Sequence, residues 1–422
     1  MVRRVIIIFL VIIIFTSFAL AVKVCPKCGT EYPDSYNFCI YCFPPTELVT
    51  KGEVSLEIMT IEGRYDRPIS FVIEVRSLDY DSLESFINTC YSDGNISKSD
   101  FKDIKDIFMS IRKLGSEGKG SIAYINKVET LVDMSKKVVE KAETGIAQAL
   151  ALLLLGEIDY IRAESQHIND IEEYQRTLEY SSNIGIIEEP KVNFENTISA
   201  LIQIILNYEN FKYIDYAYYK LGCCLMSQEE YNEAAETLTK LIKKYPQSKY
   251  VQECYFRVGD YWFDKFEFDK AIDFYTKIDP KSPFYYKGLY KIGWCYYNLA
   301  KGVSDKNYIN AFDAFLKLFD KYSNVSNPSL IREAKEFSVI CISEYSAKPD
   351  PYILINLLKE RNLEYLIPEE LHFLGDLYLH KKDMSGIAAY CYKIILDNYP
   401  EYYNIDVVKE SFNEANERIE NK

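Results

Sequence analysis

Apolar residues in the second half of the chain recur at helical spacing, and the recurrence itself repeats. Tyr218, Leu221, Gly222, Leu225, Ala234, Leu238, Leu241 and Pro246 return in phase 37 residues later as Tyr255, Val258, Gly259, Trp262, Ala271, Tyr275, Ile278 and Pro283. Stripes of this kind predict amphipathic helices, and a fixed period of this length predicts stacked supersecondary units. A third copy runs through Leu289, Ile292, Gly293, Tyr296, Ala311, Phe315 and Leu318, with a longer connection near 301–306. A last copy holds Leu371, Leu374, Gly375, Tyr378, Ala388, Tyr392, Ile395 and Pro400. Thr197, Leu201, Ile204 and Tyr208 keep phase with Ala234 to Tyr245, so another second helix is expected there, whereas Asn327 to Arg361 does not align.

Upstream the pattern changes twice. Tyr124 to Lys141 and Gly145 to Ile168 carry helical spacing, so 79–195 reads as a region of long packed helices. Val54–Ile61 and Ile69–Val75 alternate with period two around Gly63 and Pro68, which predicts a small β segment over 49–78. The start of the chain is an address: Arg3 and Arg4 precede an apolar run to Leu20, and Ala19-Leu20-Ala21 suits a signal peptidase. Residues 1–21 are therefore expected to be a signal peptide, with an uncleaved membrane anchor as the alternative. Either reading places the remainder extracytoplasmic, periplasmic or secreted, with any membrane contact made through that segment alone.

The repeats resemble the tetratricopeptide family, whose unit is two antiparallel helices. The physics agrees: glycine allows close approach, alanine sits at the crossing, and proline ends the second helix. The lengthened unit ending in Tyr245-Pro246 and Tyr399-Pro400 is similar to exported bacterial repeat proteins, including outer-membrane assembly lipoproteins and the Tol-Pal-associated coordinator. The expected fold is mainly α, a tetratricopeptide-type α-solenoid over 196–422. By that resemblance the concave wall comes from the first helices, on Tyr216, Tyr219, Cys223 and Met226, then Glu253, Phe256, Asp260, Phe263 and Asp264, then Lys287, Tyr290, Trp294, Tyr297 and Asn298. Tyr219, Phe256, Phe263, Tyr290, Trp294 and Tyr297 are the expected partner-binding strip, because Tyr and Trp supply contact area at low entropy cost. The competing reading is that neighbouring helices cover them as core.

Cys25, Cys28, Cys39 and Cys42 form C-x2-C-x10-C-x2-C. Two short knuckles can bring four thiolates into a tetrahedron, and the pattern resembles the zinc-ribbon family. Residues 22–48 are read as a ribbon with these four as ligands of a structural zinc that has no open position; a pair of disulfides is the alternative in an exported chain. Cys90, Cys223, Cys224, Cys254, Cys295, Cys341 and Cys391 show no paired spacing and read as small core residues.

Composition narrows the function. Asp and Glu number 63 against 49 Lys and Arg, a net charge of −14 that repels phosphate backbones, so no nucleic-acid partner is expected. Seventeen Gly and 14 Pro are too few for a turn-rich β-sandwich, and aromatics at 15% exceed what a core of this size needs. Catalytic motifs are absent: there is no H-E-x-x-H, no phosphate loop and no nucleophile elbow, and the only histidines are His167, His372 and His380. His372 and His380 lie two turns apart with Asp376 between them, more like a solvated face than a metal site. Asp93-Gly94-Asn95-Ile96-Ser97 with Asp100 matches only the second half of a calcium loop, and a turn capped by Ser97 or Ser99 fits better. The expectation is a non-enzymatic extracytoplasmic scaffold for a protein or peptide partner, in envelope or outer-membrane assembly; the alternative is an exported enzyme or redox protein with its chemistry in residues 50–195.

Overall fold

A computed structural model describes five short strands within residues 22–50, and residues 73–114, 122–180, 189–301, 305–320, 327–346 and 348–421. The expected signal segment 1–21 and the strand at Val54–Ile61 lie outside the described residues. Strands β1 (Val22–Val24), β2 (Glu31–Pro33) and β5 (Val49–Thr50) form an antiparallel sheet in the order β2-β1-β5. Strands β3 (Phe38–Cys39) and β4 (Thr46–Glu47) make a separate antiparallel pair. Residues 73–79 correct the β reading of Ile69–Val75 where it can be followed: they form neither strand nor helix.

The helical remainder separates into two compact units, Val72–Cys254 and Tyr255–Lys422. The first holds α1 (Tyr80–Ser92), α2 (Lys98–Leu114), α3 (Ile122–Lys141), α4 (Gly145–Tyr180), α5 (Glu195–Asn207), α6 (Ile214–Ser227) and α7 (Tyr231–Lys244). The expected boundary at 195/196 is not where it divides, because α5 packs along α4 and α6 along α5. Helix α4 runs to Tyr180, well past the expected Ile168. In the turn before α2, Ser97 Oγ accepts the Asp100 N–H at 3.1 Å, and buried Asp100 accepts the Glu143 N–H at 3.2 Å. That carboxylate serves the turns.

The break between the units falls within α8 (Val251–Asp264). The second unit continues with α9 (Phe268–Tyr275), α10 (Tyr285–Ala300), α11 (Asp305–Phe319), α12 (Pro328–Tyr345), α13 (Pro351–Glu360), α14 (Ile367–His380), α15 (Ser385–Asn398) and α16 (Ile405–Glu420). Helices α12 and α13 fill the stretch that sequence could not align. Asn327 and Asp350 cap them ahead of Pro328 and Pro351.

Each aligned repeat is closed by one approach. A Cβ on Gly222 would meet Leu238 at 2.4 Å, on Gly259 the Tyr275 ring at 2.5 Å, on Gly293 Phe315 at 2.7 Å and on Gly375 Tyr392 at 2.6 Å. Where the second helix offers tyrosine, the residue after glycine is aspartate: Tyr275 donates to Asp260 at 2.5 Å and Tyr392 to Asp376 at 2.6 Å. Where it offers Leu238 or Phe315, the residue is Cys223 or Trp294. The turn from first to second helix carries a left-handed residue, Glu229, Phe266 or Asp383. The next N–H then closes back on the first helix, Glu230 to Leu225 and Glu267 to Trp262 at 2.9 Å each.

First helices are buried on nearly every side, whereas α7 and α9 bury one stripe. A fully covered helix strands any polar group it carries, and Glu370 of α14 is the extreme case. Ser338 Oγ lies 2.7 Å from the Lys335 carbonyl and 2.6 Å from Glu370 Oε2. The hydroxyl has one proton to give, so both contacts are satisfied when Glu370 is protonated and donates to Ser338. Complete burial agrees, pushing the carboxyl from its ordinary 4.5 up to about 8. The unfolded chain therefore loses this proton near pH 4.5 while the folded chain keeps it, so stability falls as pH rises from 4.5 to about 8 and levels off above. Glu370→Gln should remove that share of the slope in denaturant titrations across this range, making the variant the more stable of the two near pH 8; parallel slopes would show a charged Glu370.

Candidate functional site

The six aromatics expected to form an open strip are core. Tyr219, Phe256, Tyr290 and Trp294 are 0% exposed, Tyr297 7% and Phe263 8%. In the second unit, the Phe256 ring packs against Tyr275 and Phe284, with centroids 5.7 and 5.9 Å away. Phe263 lies under the Lys291 ammonium, which also reaches Asp260 at 3.3 Å. Trp294 packs on Phe337 of α12 at 4.4 Å, and Phe337 also abuts Tyr297 at 5.7 Å. Tyr290 donates to Glu333 of α12. Tyr290, Trp294 and Tyr297, placed by family position on a groove wall, are instead covered by α12. Helices apolar all round are buried, and α6, α10 and α14 carried that signal in sequence.

His372 is likewise buried rather than solvated: its Nδ1 lies 3.3 Å from Tyr402 Oη and its Nε2 3.7 Å from Asp376, and burial lowers its pKa. His380 is exposed at the end of α14. No three His, Cys, Asp or Glu side chains among the described residues are placed to hold a metal ion. Of the proposed zinc ligands, Cys25, Cys28 and Cys42 lie outside the described residues, and Cys39 ends β3. The seven later cysteines are buried thiols, as their spacing implied; desolvation pushes Cys224 up to about 12. An open depression of about 320 Å³ is lined by Ile198, Ser199 and Ile202 of α5 with Gln228 and Glu230, and pairs no nucleophile with a base.

A polar site does appear in the first unit, where the segment 73–79 meets the repeat helices. The Arg76 N–H donates to Tyr219 Oη at 2.8 Å, and Tyr219 Oη donates to Glu253 Oε1 at 2.8 Å. Arg76 Nε lies 2.9 Å from Glu253 Oε2, and one of its terminal nitrogens lies 3.4 Å from the Lys249 carbonyl. The Tyr219 ring stacks on Tyr250 at 4.3 Å and 13°. Desolvation holds the Tyr219 and Tyr250 phenols above their ordinary range, so both stay neutral donors. One turn earlier, Tyr216 donates to Glu157 of α4 at 2.6 Å, and Lys220 lies 4.0 Å from the same carboxylate and 3.2 Å over the Tyr160 ring. The inner face of α6 is thus closed by α4 on one side and by the chain's own strap on the other. Glu253 was among the expected groove positions. Arg76 was not foreseen, because in sequence it closes an alternating run that reads as strand.

The tetratricopeptide repeat model matches residues 216–248, most of α6 and all of α7. Among solved structures, the C-terminal part of a TPR repeat-containing protein from Cytophaga hutchinsonii is 14% identical, with 72% of this chain and 98% of that one covered at a TM-score of 0.36. A tetratricopeptide repeat protein from Parabacteroides merdae is 14% identical over 61% of this chain and 98% of its own, at 0.27. The P58(IPK) TPR domain is 14% identical over 82% and 99%, at 0.20. No curated protein matches the chain. With scores this low, the fold rests on the helix pairs described above.

Burial of Trp294 makes a direct forecast. Trp294→Ala should cost about 3–5 kcal/mol of stability, as large core truncations do, in denaturant unfolding of the full chain. A change within about 0.5 kcal/mol, as for surface positions, would restore the open-groove reading.

Proposed function

We propose that this protein, whose residues 216–248 match the tetratricopeptide repeat, is a non-enzymatic scaffold that binds a polypeptide partner. The observation that carries the reading is the Arg76 contact. The first repeat receives a further segment of chain, whose Arg76 N–H donates to Tyr219 while its guanidinium lies against Glu253 and the Lys249 carbonyl. That is the chemistry of peptide recognition: main-chain hydrogen bonding supplies affinity and a charged pocket supplies selectivity. The aromatic strip no longer supports the reading, since those rings are spent on packing.

Export and zinc belong to the same proposal. The Arg3-Arg4 start and the apolar run to Leu20 support an extracytoplasmic site of action, and a role in envelope assembly follows from the lengthened repeat. Cys25 and Cys28 fall between the paired strands β1 and β2, and Cys42 falls between β3 and β4. The first C-x2-C thus lies in sequence between two paired strands and the second starts at the end of one, a spacing that supports a ribbon aiming four thiolates at one ion. Four such thiolates would hold zinc for folding and leave it no open coordination position.

Cross-linking capture by the full chain, with metal analysis of the same preparation, tests both parts. The expected result is a stable polypeptide partner cross-linked to peptides of α6 and the start of α8, and about one zinc per chain. A turnover activity mapped to residues 50–195 would replace the scaffold reading, and a metal-free chain with disulfides at these cysteines would replace the zinc.

A further inference from the structure

We propose that residues 73–79 are a built-in competitor: the strap holds an arginine-accepting pocket on the first repeat until an arginine-bearing segment of a partner displaces it. This deepens the scaffold reading and rests on it. Glu253 is 0% exposed, and a carboxylate taken out of water is costly unless a cation with good geometry meets it. Arg76 sets its Nε 2.9 Å from Glu253 Oε2 as an ion pair without a hydrogen bond to that oxygen, and a terminal nitrogen lies 3.4 Å from the Lys249 carbonyl. The proposed ligand carries arginine because a guanidinium is the group this pocket holds in the chain itself. Tyr219 adds a main-chain contact, and its stacking on Tyr250 holds the phenol in place before any ligand arrives.

None of these contacts requires the arginine to belong to the same chain. The strap is fastened at its far end, where Leu78 is buried and Asp79 caps α1 through the Ser82 N–H at 3.1 Å. At the pocket, by contrast, Glu74 and Ser77 are exposed and the Arg76 side chain is 38% exposed. The segment is neither strand nor helix. Tethering still gives it an effective concentration in the millimolar range, enough to hold off weak ligands while yielding to a partner with further contacts.

The test uses the full chain and a fluorescein-labelled peptide with the sequence of residues 73–79. Anisotropy should show the peptide binding the Arg76→Ala chain at least about tenfold more tightly than wild type, because the tethered competitor is gone. A peptide with alanine at the arginine position should not bind. Equal binding to both chains, or equal binding of the two peptides, overturns the proposal. If circular dichroism shows that Arg76→Ala has lost helix, hydrogen exchange of the wild-type chain decides instead. The Arg76 amide should exchange at least about 100-fold faster than the amides of α6, whereas exchange in step with α6 makes the strap core and overturns the proposal. A captured partner that binds wild type and Arg76→Ala equally well overturns the competitor and leaves the scaffold reading standing.

Discussion

The approach of one helix to the next over a missing Cβ governs this protein. At Gly222, Gly259, Gly293 and Gly375 the side chain of a second helix lies where a Cβ would be, so the two helices close to a distance that any other residue would prevent. Closeness of that order leaves first helices covered nearly all round. Each polar group they carry must then find its partner inside, which explains the Tyr275–Asp260 and Tyr392–Asp376 pairs and the neutral Glu370. The same demand explains the strap: Glu253 opens a covered helix, and Arg76 answers its charge.

Much of this was legible in the sequence. The recurring glycine-and-alanine signature located α6 to α11 and α14 to α15, and the glycines marked the crossings. Ser97 was foreseen as a cap, and the seven later cysteines as core. The misreadings share a cause. Position within a family's repeat says which way a side chain points, but not what stands opposite; Trp294 points as expected and meets Phe337. The α12–α13 pair escaped because neither helix carries the repeat's glycine at the expected spacing. Arg76 escaped because a residue in such a segment, far in sequence from the helices it serves, leaves no periodic trace.

These corrections relocate the functional surface. An aromatic-rich first-helix face is a sign of burial when no charge interrupts it, and the proposed binding chemistry lies where a charged residue breaks the apolar pattern. Glu253 is such a break on α8, and it is the one that a further piece of chain reaches in the first unit. A repeat scaffold that keeps its own segment over its ligand site gains selectivity, since a partner must bring both the guanidinium and enough further contact to outweigh the tether.

The most direct measurement is a double-mutant cycle on folding stability between Arg76→Ala and Glu253→Gln, with both single variants and the double variant unfolded by denaturant. A strap engaged with a buried carboxylate predicts strong coupling, of order 1–3 kcal/mol, as contacting charged groups show. Additivity within about 0.5 kcal/mol, the behaviour of sites that do not touch, would contradict the account.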